Sequence, residues 1–213
     1  MALTVLVDTG AGNLHSAEKA FQRMAAETGA GDVLVSPRAE DVARADRIVL
    51  PGDGAFPASM QALTADTALI EALRDAVERR AVPFLGICVG MQLMATRGTE
   101  YRPTPGFGWI PGEVAPLAPG SPDLKVPHMG WNDLTVLRPH PVLDGVATGD
   151  HAYFVHSFAM RVDDDAHLLA TVDYGGPVTA IVGRDTMVGT QFHPEKSQRA
   201  GLRIVANFLA WRP

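Results

Sequence analysis

Cysteine is almost missing from this chain: Cys88 is the only one in 213 residues. No internal disulfide can form, so a reducing, cytoplasmic setting is expected. Positive charge is also short, with 18 Lys and Arg against 24 Asp and Glu and a net charge of −6. Without a basic run, a nucleic-acid surface is not expected. No apolar stretch approaches the roughly 20 residues of a membrane span. The start, Met1-Ala2-Leu3-Thr4-Val5-Leu6-Val7-Asp8, lacks the basic segment of a signal peptide. No His/Cys cluster has metal-ligand spacing, so neither metal nor cofactor is expected. Repeats, low-complexity tracts and linkers are missing too, and a single domain over residues 1–213 follows.

What is present is an alternation of strand-like and helix-like segments. Strands are expected at 3–7, 33–35, 47–50 and 82–87, with helices at 14–26 and 67–80 between them. Asn13 is placed to cap the first helix, and Leu69, Ile70, Leu73 and Val77 line one face of the second. Such alternation implies an α/β fold, a central and mostly parallel sheet with helices on both faces. Prolines at 103, 105, 111, 116, 119, 122 and 127 then mark an irregular stretch. Short strands at 134–137, 153–160, 168–173, 178–182 and 187–192 follow, joined by turns that suggest an antiparallel extension of the sheet. A closing helix is expected at 198–211.

The lone cysteine stands in Gly86-Ile87-Cys88-Val89-Gly90, after an apolar strand and before a helical pattern. Gly-x-Cys-x-Gly in that context is a nucleophile elbow with sulfur in place of a hydroxyl. The flanking glycines are expected to relieve backbone angles that a Cβ would oppose. The positive end of the following helix favours an anionic sulfur. A thiol nucleophile needs a base and an orienting group. Gln191-Phe192-His193-Pro194-Glu195 supplies both, because residues two apart in extended chain lie roughly 6.5 Å apart on one side. Glu195 can then hold one nitrogen of His193 and leave the other for the thiol. The backbone N–H groups of Val89 and of Gly52, in the turn Gly52-Asp53-Gly54, are candidate oxyanion donors. Gly10-Ala11-Gly12 does not complete a dinucleotide fingerprint, since His15 stands where the third glycine belongs.

Gly86-Ile87-Cys88-Val89-Gly90-Met91-Gln92 together with Gln191-Phe192-His193-Pro194-Glu195-Lys196-Ser197 resembles the catalytic motifs of class I glutamine amidotransferases. Further segments resemble the branch of that family that feeds ammonia to a separate (β/α)₈ cyclase subunit in histidine biosynthesis. They are Asp8-Thr9-Gly10-Ala11-Gly12-Asn13, Leu50-Pro51-Gly52-Asp53-Gly54-Ala55-Phe56, Val126-Pro127-His128-Met129-Gly130-Trp131-Asn132, Tyr153-Phe154-Val155-His156-Ser157-Phe158 and Asp173-Tyr174-Gly175-Gly176. The resemblance implies a flavodoxin-like amidotransferase fold and a Cys88-His193-Glu195 triad that hydrolyses glutamine. It implies Gly52 and Val89 at the oxyanion, and Gln92 with the backbone near Ser157 and Phe158 at the substrate. It further implies a heterodimer with the cyclase, with His128, Met129, Trp131, Asn132, Tyr153, His156 and Lys196 at the partner interface. A glutaminase subunit of another biosynthetic synthase is the alternative. Asp53 departs from the pattern, which often has an apolar residue there. It either points away and pins the turn or restrains it in a resting geometry.

Overall fold

The computed structural model describes residues 1–10 and 14–213. Asn13, expected as a helix cap, lies outside the described residues, as do Ala11 and Gly12 of the glycine turn. The first half is β1 (Leu3–Val7), α1 (His15–Thr28), β2 (Asp32–Ser36), α2 (Ala39–Ala43), β3 (Arg47–Gly52), α3 (Phe56–Ala65), α4 (Thr67–Arg74), β4 (Phe84–Cys88) and α5 (Val89–Gln92). The second half is β5 (Arg97–Gly98), β6 (Thr104–Pro105), β7 (Gly112–Pro116), β8 (His128–Val136), β9 (His151–His156), β10 (Phe158–Val162), β11 (Leu168–Asp173), β12 (Pro177–Arg184), β13 (Met187–Thr190) and α6 (Gln198–Ala210).

A nine-stranded sheet in the order β2-β1-β3-β4-β13-β12-β11-β8-β9 forms the body. Its first five strands run parallel, and β12, β11, β8 and β9 add antiparallel neighbours beyond them. The central strands are covered on both faces, which is why β4 is buried at all five positions and reads as a continuous apolar run. The expected α/β sheet with its antiparallel extension is therefore what forms.

Several boundaries differ from the expectation for physical reasons. The expected strand over 153–160 is two strands, β9 and β10, in different sheets, with Ser157 at the break. β10 joins β7, β5 and β6 in a second, four-stranded sheet that the proline-rich sequence concealed. Here three of the pairings are only two to five residues long, too short for a periodic signal. The helix expected over 67–80 is α4 followed by a π turn at Asp75–Arg79, closed by Arg80 N–H donating to the Asp75 carbonyl at 3.0 Å. That wider turn keeps both Ala76 and Val77 buried. α3 escaped notice because Pro57 near its start reads as a breaker, although proline is well tolerated in a first helical turn.

Candidate active site

β4 delivers Cys88 to the carboxyl edge of the sheet, and Cys88 itself carries the strained backbone, with φ 55° and ψ −112°. That is the sharp strand-to-helix turn of an elbow. Gly86 and Gly90 have ordinary φ values, so their role differs from the one expected. They permit close approach: a Cβ on Gly90 would lie 1.8 Å from the Leu50 carbonyl oxygen, and one on Gly86 would lie 2.6 Å from the Gly90 oxygen. A Cβ on Gly52 would in turn meet the Gly90 nitrogen at 2.5 Å. Three glycines thus let β3 and the start of α5 touch backbone to backbone behind the thiol.

β13 lies beside β4 and carries the chain to His193. Glu195 meets one nitrogen of His193 as expected, and a turn of 3₁₀ helix, Pro194–Lys196, is what curls it back onto the imidazole. His193 Nδ1 and Glu195 Oε1 are 2.8 Å apart, and both side chains are 5% exposed. The turn is pinned from three sides. His193 N–H donates to the Tyr153 carbonyl, Ser197 Oγ donates to the His193 carbonyl, and Tyr153 N–H donates to Ser197 Oγ. Gly201 of α6 lets that helix pack on the turn, since a Cβ there would sit 1.9 Å from the Pro194 oxygen.

Burial alone would push the His193 pKa down. Hydrogen bonds to Cys88 and Glu195, with the negative charge of both groups, outweigh it and raise the imidazole to about 10. His193 therefore carries its second proton at neutral pH. With Nδ1 on Glu195, Nε2 is the nitrogen left for the sulfur.

A cavity of about 310 Å³ opens over the triad, lined by Asp53, Gly54, Cys88, Val89, Gln92, Glu100, Pro127, Val155, His156, Ser157, Phe158 and His193. Gln92, Ser157 and Phe158 thus come together at its wall as expected. Gln92 Nε2 donates to the Phe158 carbonyl at 3.0 Å and to Gln191 Oε1 at 3.1 Å, and Gln191 Nε2 lies 3.9 Å from Cys88 Sγ. Val89 lines the cavity at the first position of α5, and Cys88 offers that helix end no side-chain cap. Gly52 pairs with Cys88 in the parallel ladder, one residue behind the lining. Asp53 does not point away: its Oδ1 is 3.9 Å from His193 Nε2.

Met129 and Trp131 are exposed on β8, at 62% and 47%, and Lys196 is exposed beyond the triad turn. Tyr153 packs edge-on against Trp131. His128 and His156, expected at the partner surface, are instead buried at 2% and 6% exposure, and Asn132 is half-buried beside them. The reason is strand alternation: Met129 and Trp131 face out, so His128 and Asn132 face in. Two residues near the thiol, Gln191 behind the cavity and Glu100 in its lining, had no role in the sequence reading. Gln191 lay inside a quoted motif but reaches the sulfur only through the fold, and Glu100 accepts from Phe56 N–H at 2.7 Å. Among the described residues no group of His, Cys, Asp and Glu is arranged to hold a metal ion.

A cysteine on an elbow, a buried imidazole beside it and a carboxylate on the far nitrogen, set at the edge of a parallel sheet, are the arrangement that thiol amidohydrolase chemistry requires. The family model described as glutamine amidotransferase class-I matches residues 5–211, and the chain belongs to that family. It is 72% identical over 211 residues to the imidazole glycerol phosphate synthase subunit HisH of Cereibacter sphaeroides, covering 99% of this chain and 100% of that one. The protein of the same name from Ruegeria pomeroyi is 63% identical over 99% of this chain and 100% of its own. The one from Rhodopseudomonas palustris is 53% identical, covering 98% of each. Among solved structures, one described as a glutamine amidotransferase aligns over 99% of this chain and 100% of its own with a TM-score of 0.73 at 17% identity. The glutaminase domain of Trypanosoma brucei CTPS aligns over 99% of this chain and 92% of its own with a TM-score of 0.65 at 12% identity. These two speak to the fold.

Proposed function

We propose that this chain is the glutaminase subunit of an imidazole glycerol phosphate synthase, one amidotransferase domain over residues 1–213 working in the cytoplasm. Cys88 Sγ attacks the side-chain amide carbon of glutamine. The developing oxyanion is held by the N–H groups of Val89 and Gly52. His193 gives its proton from Nε2 to the departing ammonia, while Glu195 fixes the ring through Nδ1. Water then cleaves the γ-glutamyl thioester, releasing glutamate and restoring the thiol. Gln92 and the chain at Ser157 and Phe158 hold the substrate in the cavity over the triad.

Ammonia passes to a (β/α)₈ cyclase subunit, which uses it to convert a phosphoribulosyl formimino-carboxamide nucleotide into imidazole glycerol phosphate and aminoimidazole carboxamide ribotide. The observation that carries the chemistry is Cys88 at φ 55° facing a His193 whose other nitrogen is 2.8 Å from Glu195. The full-length likeness to synthase subunits supports the pathway. The exposed Met129 and Trp131, with Lys196 nearby in sequence to the triad, support a docking face beside the site.

Glutamate release from glutamine tests the proposal, measured with the chain alone, with a cyclase subunit, and with the cyclase and its nucleotide. Low activity alone that rises strongly with both, and is lost in Cys88→Ala, is expected. High activity indifferent to the cyclase would refute the subunit reading.

A further inference from the structure

The mechanism leaves two buried histidines without a task, His156 in the cavity wall and His128 behind it. His128 on β8 and His156 on β9 face each other across the ladder, with His128 Nδ1 and His156 Nε2 3.0 Å apart. His128 Nε2 lies 3.2 Å from Asn132 Nδ2, and His156 Nδ1 lies 2.9 Å from the Phe158 carbonyl. The direction of every bond can be worked out. Asn132 Oδ1 accepts from Asp133 N–H at 2.8 Å, which identifies Nδ2 as the nitrogen, and that nitrogen also donates to the Asp173 carbonyl at 2.9 Å. Nδ2 can only donate, so His128 Nε2 accepts and the His128 proton sits on Nδ1. His128 then donates to His156 Nε2, which places the His156 proton on Nδ1, aimed at the Phe158 carbonyl oxygen. That oxygen also accepts from Gln92 Nε2, whose second proton goes to Gln191 Oε1, and Gln191 Nε2 reaches Cys88 Sγ.

We propose that His128 and His156 are positioning residues of the glutamine site, a one-way hydrogen-bond relay that fixes the Phe158 carbonyl and, through it, Gln92 and Gln191 beside Cys88. Every donor in the chain meets an acceptor and no ring is asked to hold two protons. Burial holds both rings low, near 4, with the neighbouring His156 adding to the effect at His128, so neither charges at neutral pH. The relay acts where the chain passes from one sheet to the other: Ser157 lies between β9 and β10, and Phe158 is the end residue of the β10–β7 ladder, paired with Pro116. His128 is itself clamped between the rings of Phe154 and Tyr174, at centroid distances of 4.7 and 4.0 Å.

This inference rests on the glutaminase reading, and two measurements test it apart from that reading. Long-range proton–nitrogen correlation spectra of the free chain at neutral pH should show His128 and His156 as neutral rings with the proton on Nδ1. An Nε2–H tautomer or a charged ring at either position would overturn the relay, whatever the enzyme acts on. In the complex with the cyclase subunit, His128→Phe keeps both ring stacks but breaks the relay. It should raise KM for glutamine about tenfold, the worth of one buried hydrogen bond, and leave kcat within about threefold. His128→Gln, whose amide can both accept from Asn132 and donate to His156, should recover most of that loss. An unchanged KM in His128→Phe, or no recovery in His128→Gln, would overturn the proposal. A wild-type complex without glutaminase activity would instead overturn the functional reading.

Discussion

Replacing Glu195 by glutamine isolates what its charge does for His193. The shape of the side chain is kept, and the amide oxygen can still accept from Nδ1. The other carboxylate oxygen, Oε2, is buried with no hydrogen-bond partner among the described residues, so an NH₂ in its place breaks no contact with them. The charge is what goes. With Nδ1 and Oε1 2.8 Å apart and both side chains 5% exposed, the ion pair is shielded from water. Unit charges about 4 Å apart attract by about 4 kcal/mol at an effective dielectric of roughly 20. At ~1.4 kcal/mol per tenfold, that corresponds to about 10³ in rate, and the retained hydrogen bond brings the expected loss in kcat to roughly 10²–10³. The assay is glutamate release at saturating glutamine in the complex with the cyclase, alongside thermal unfolding to show that the fold survives. The pH profile for alkylation of Cys88 should change as well. His193 stands near 10 because Cys88 and Glu195 together outweigh its burial, so without Glu195 its loss of a proton moves to lower pH. A variant within threefold of wild type, with the same pH profile, would refute the role given to Glu195.

Three further outcomes are expected. Asp53 Oδ1 lies 3.9 Å from His193 Nε2 and competes there with the thiol, so Asp53→Val should raise partner-free glutaminase activity. The gain is at most about fivefold, because the carboxylate is 44% exposed and such pairs are worth about 1 kcal/mol or less; unchanged basal turnover would count against it. His128 and His156 titrate near 4 in the fold and near 6.5 unfolded. The unfolded chain therefore takes up protons that the fold refuses, and their stability is whole above pH 6.5 and declines as pH falls towards 4. For His156 the ceiling is about 3 kcal/mol. Urea midpoints across that window should fall less steeply for His156→Asn, and equal slopes would contradict the assignment. Lys196→Ala should weaken cyclase binding several-fold at low salt and less at high salt, with little change in the chemistry; equal affinities in a titration would rule it out.

How much of this was legible in the chain depends on how local each signal is. The parallel half announced itself because strands buried on both faces must be largely apolar, as β4 is and as β1 is apart from Thr4. The elbow was legible because three glycines are needed where β3, Cys88 and α5 touch, although the reason is close approach and not glycine backbone angles. His193 and Glu195 were legible because a single turn of chain joins them. The four-stranded sheet was not, since its short strands carry no period and its partners come from distant segments. The resemblance put His128 and His156 at a partner surface, and local pattern could not correct it: a His-Met-Gly-Trp-Asn segment shows the same letters whichever alternate set faces inward, and only pairing with β9 decides that His128 and Asn132 do. Asp53 could be read as pointing away from the site until β13 brought His193 across to it. Residue types and short spacings therefore determined the chemistry, the nucleophile and the base. Tertiary structure alone decided which side chains meet across 66 and 99 residues of chain, as Gln92 does with Phe158 and Gln191, because those contacts depend on strand order and register that no local stretch encodes.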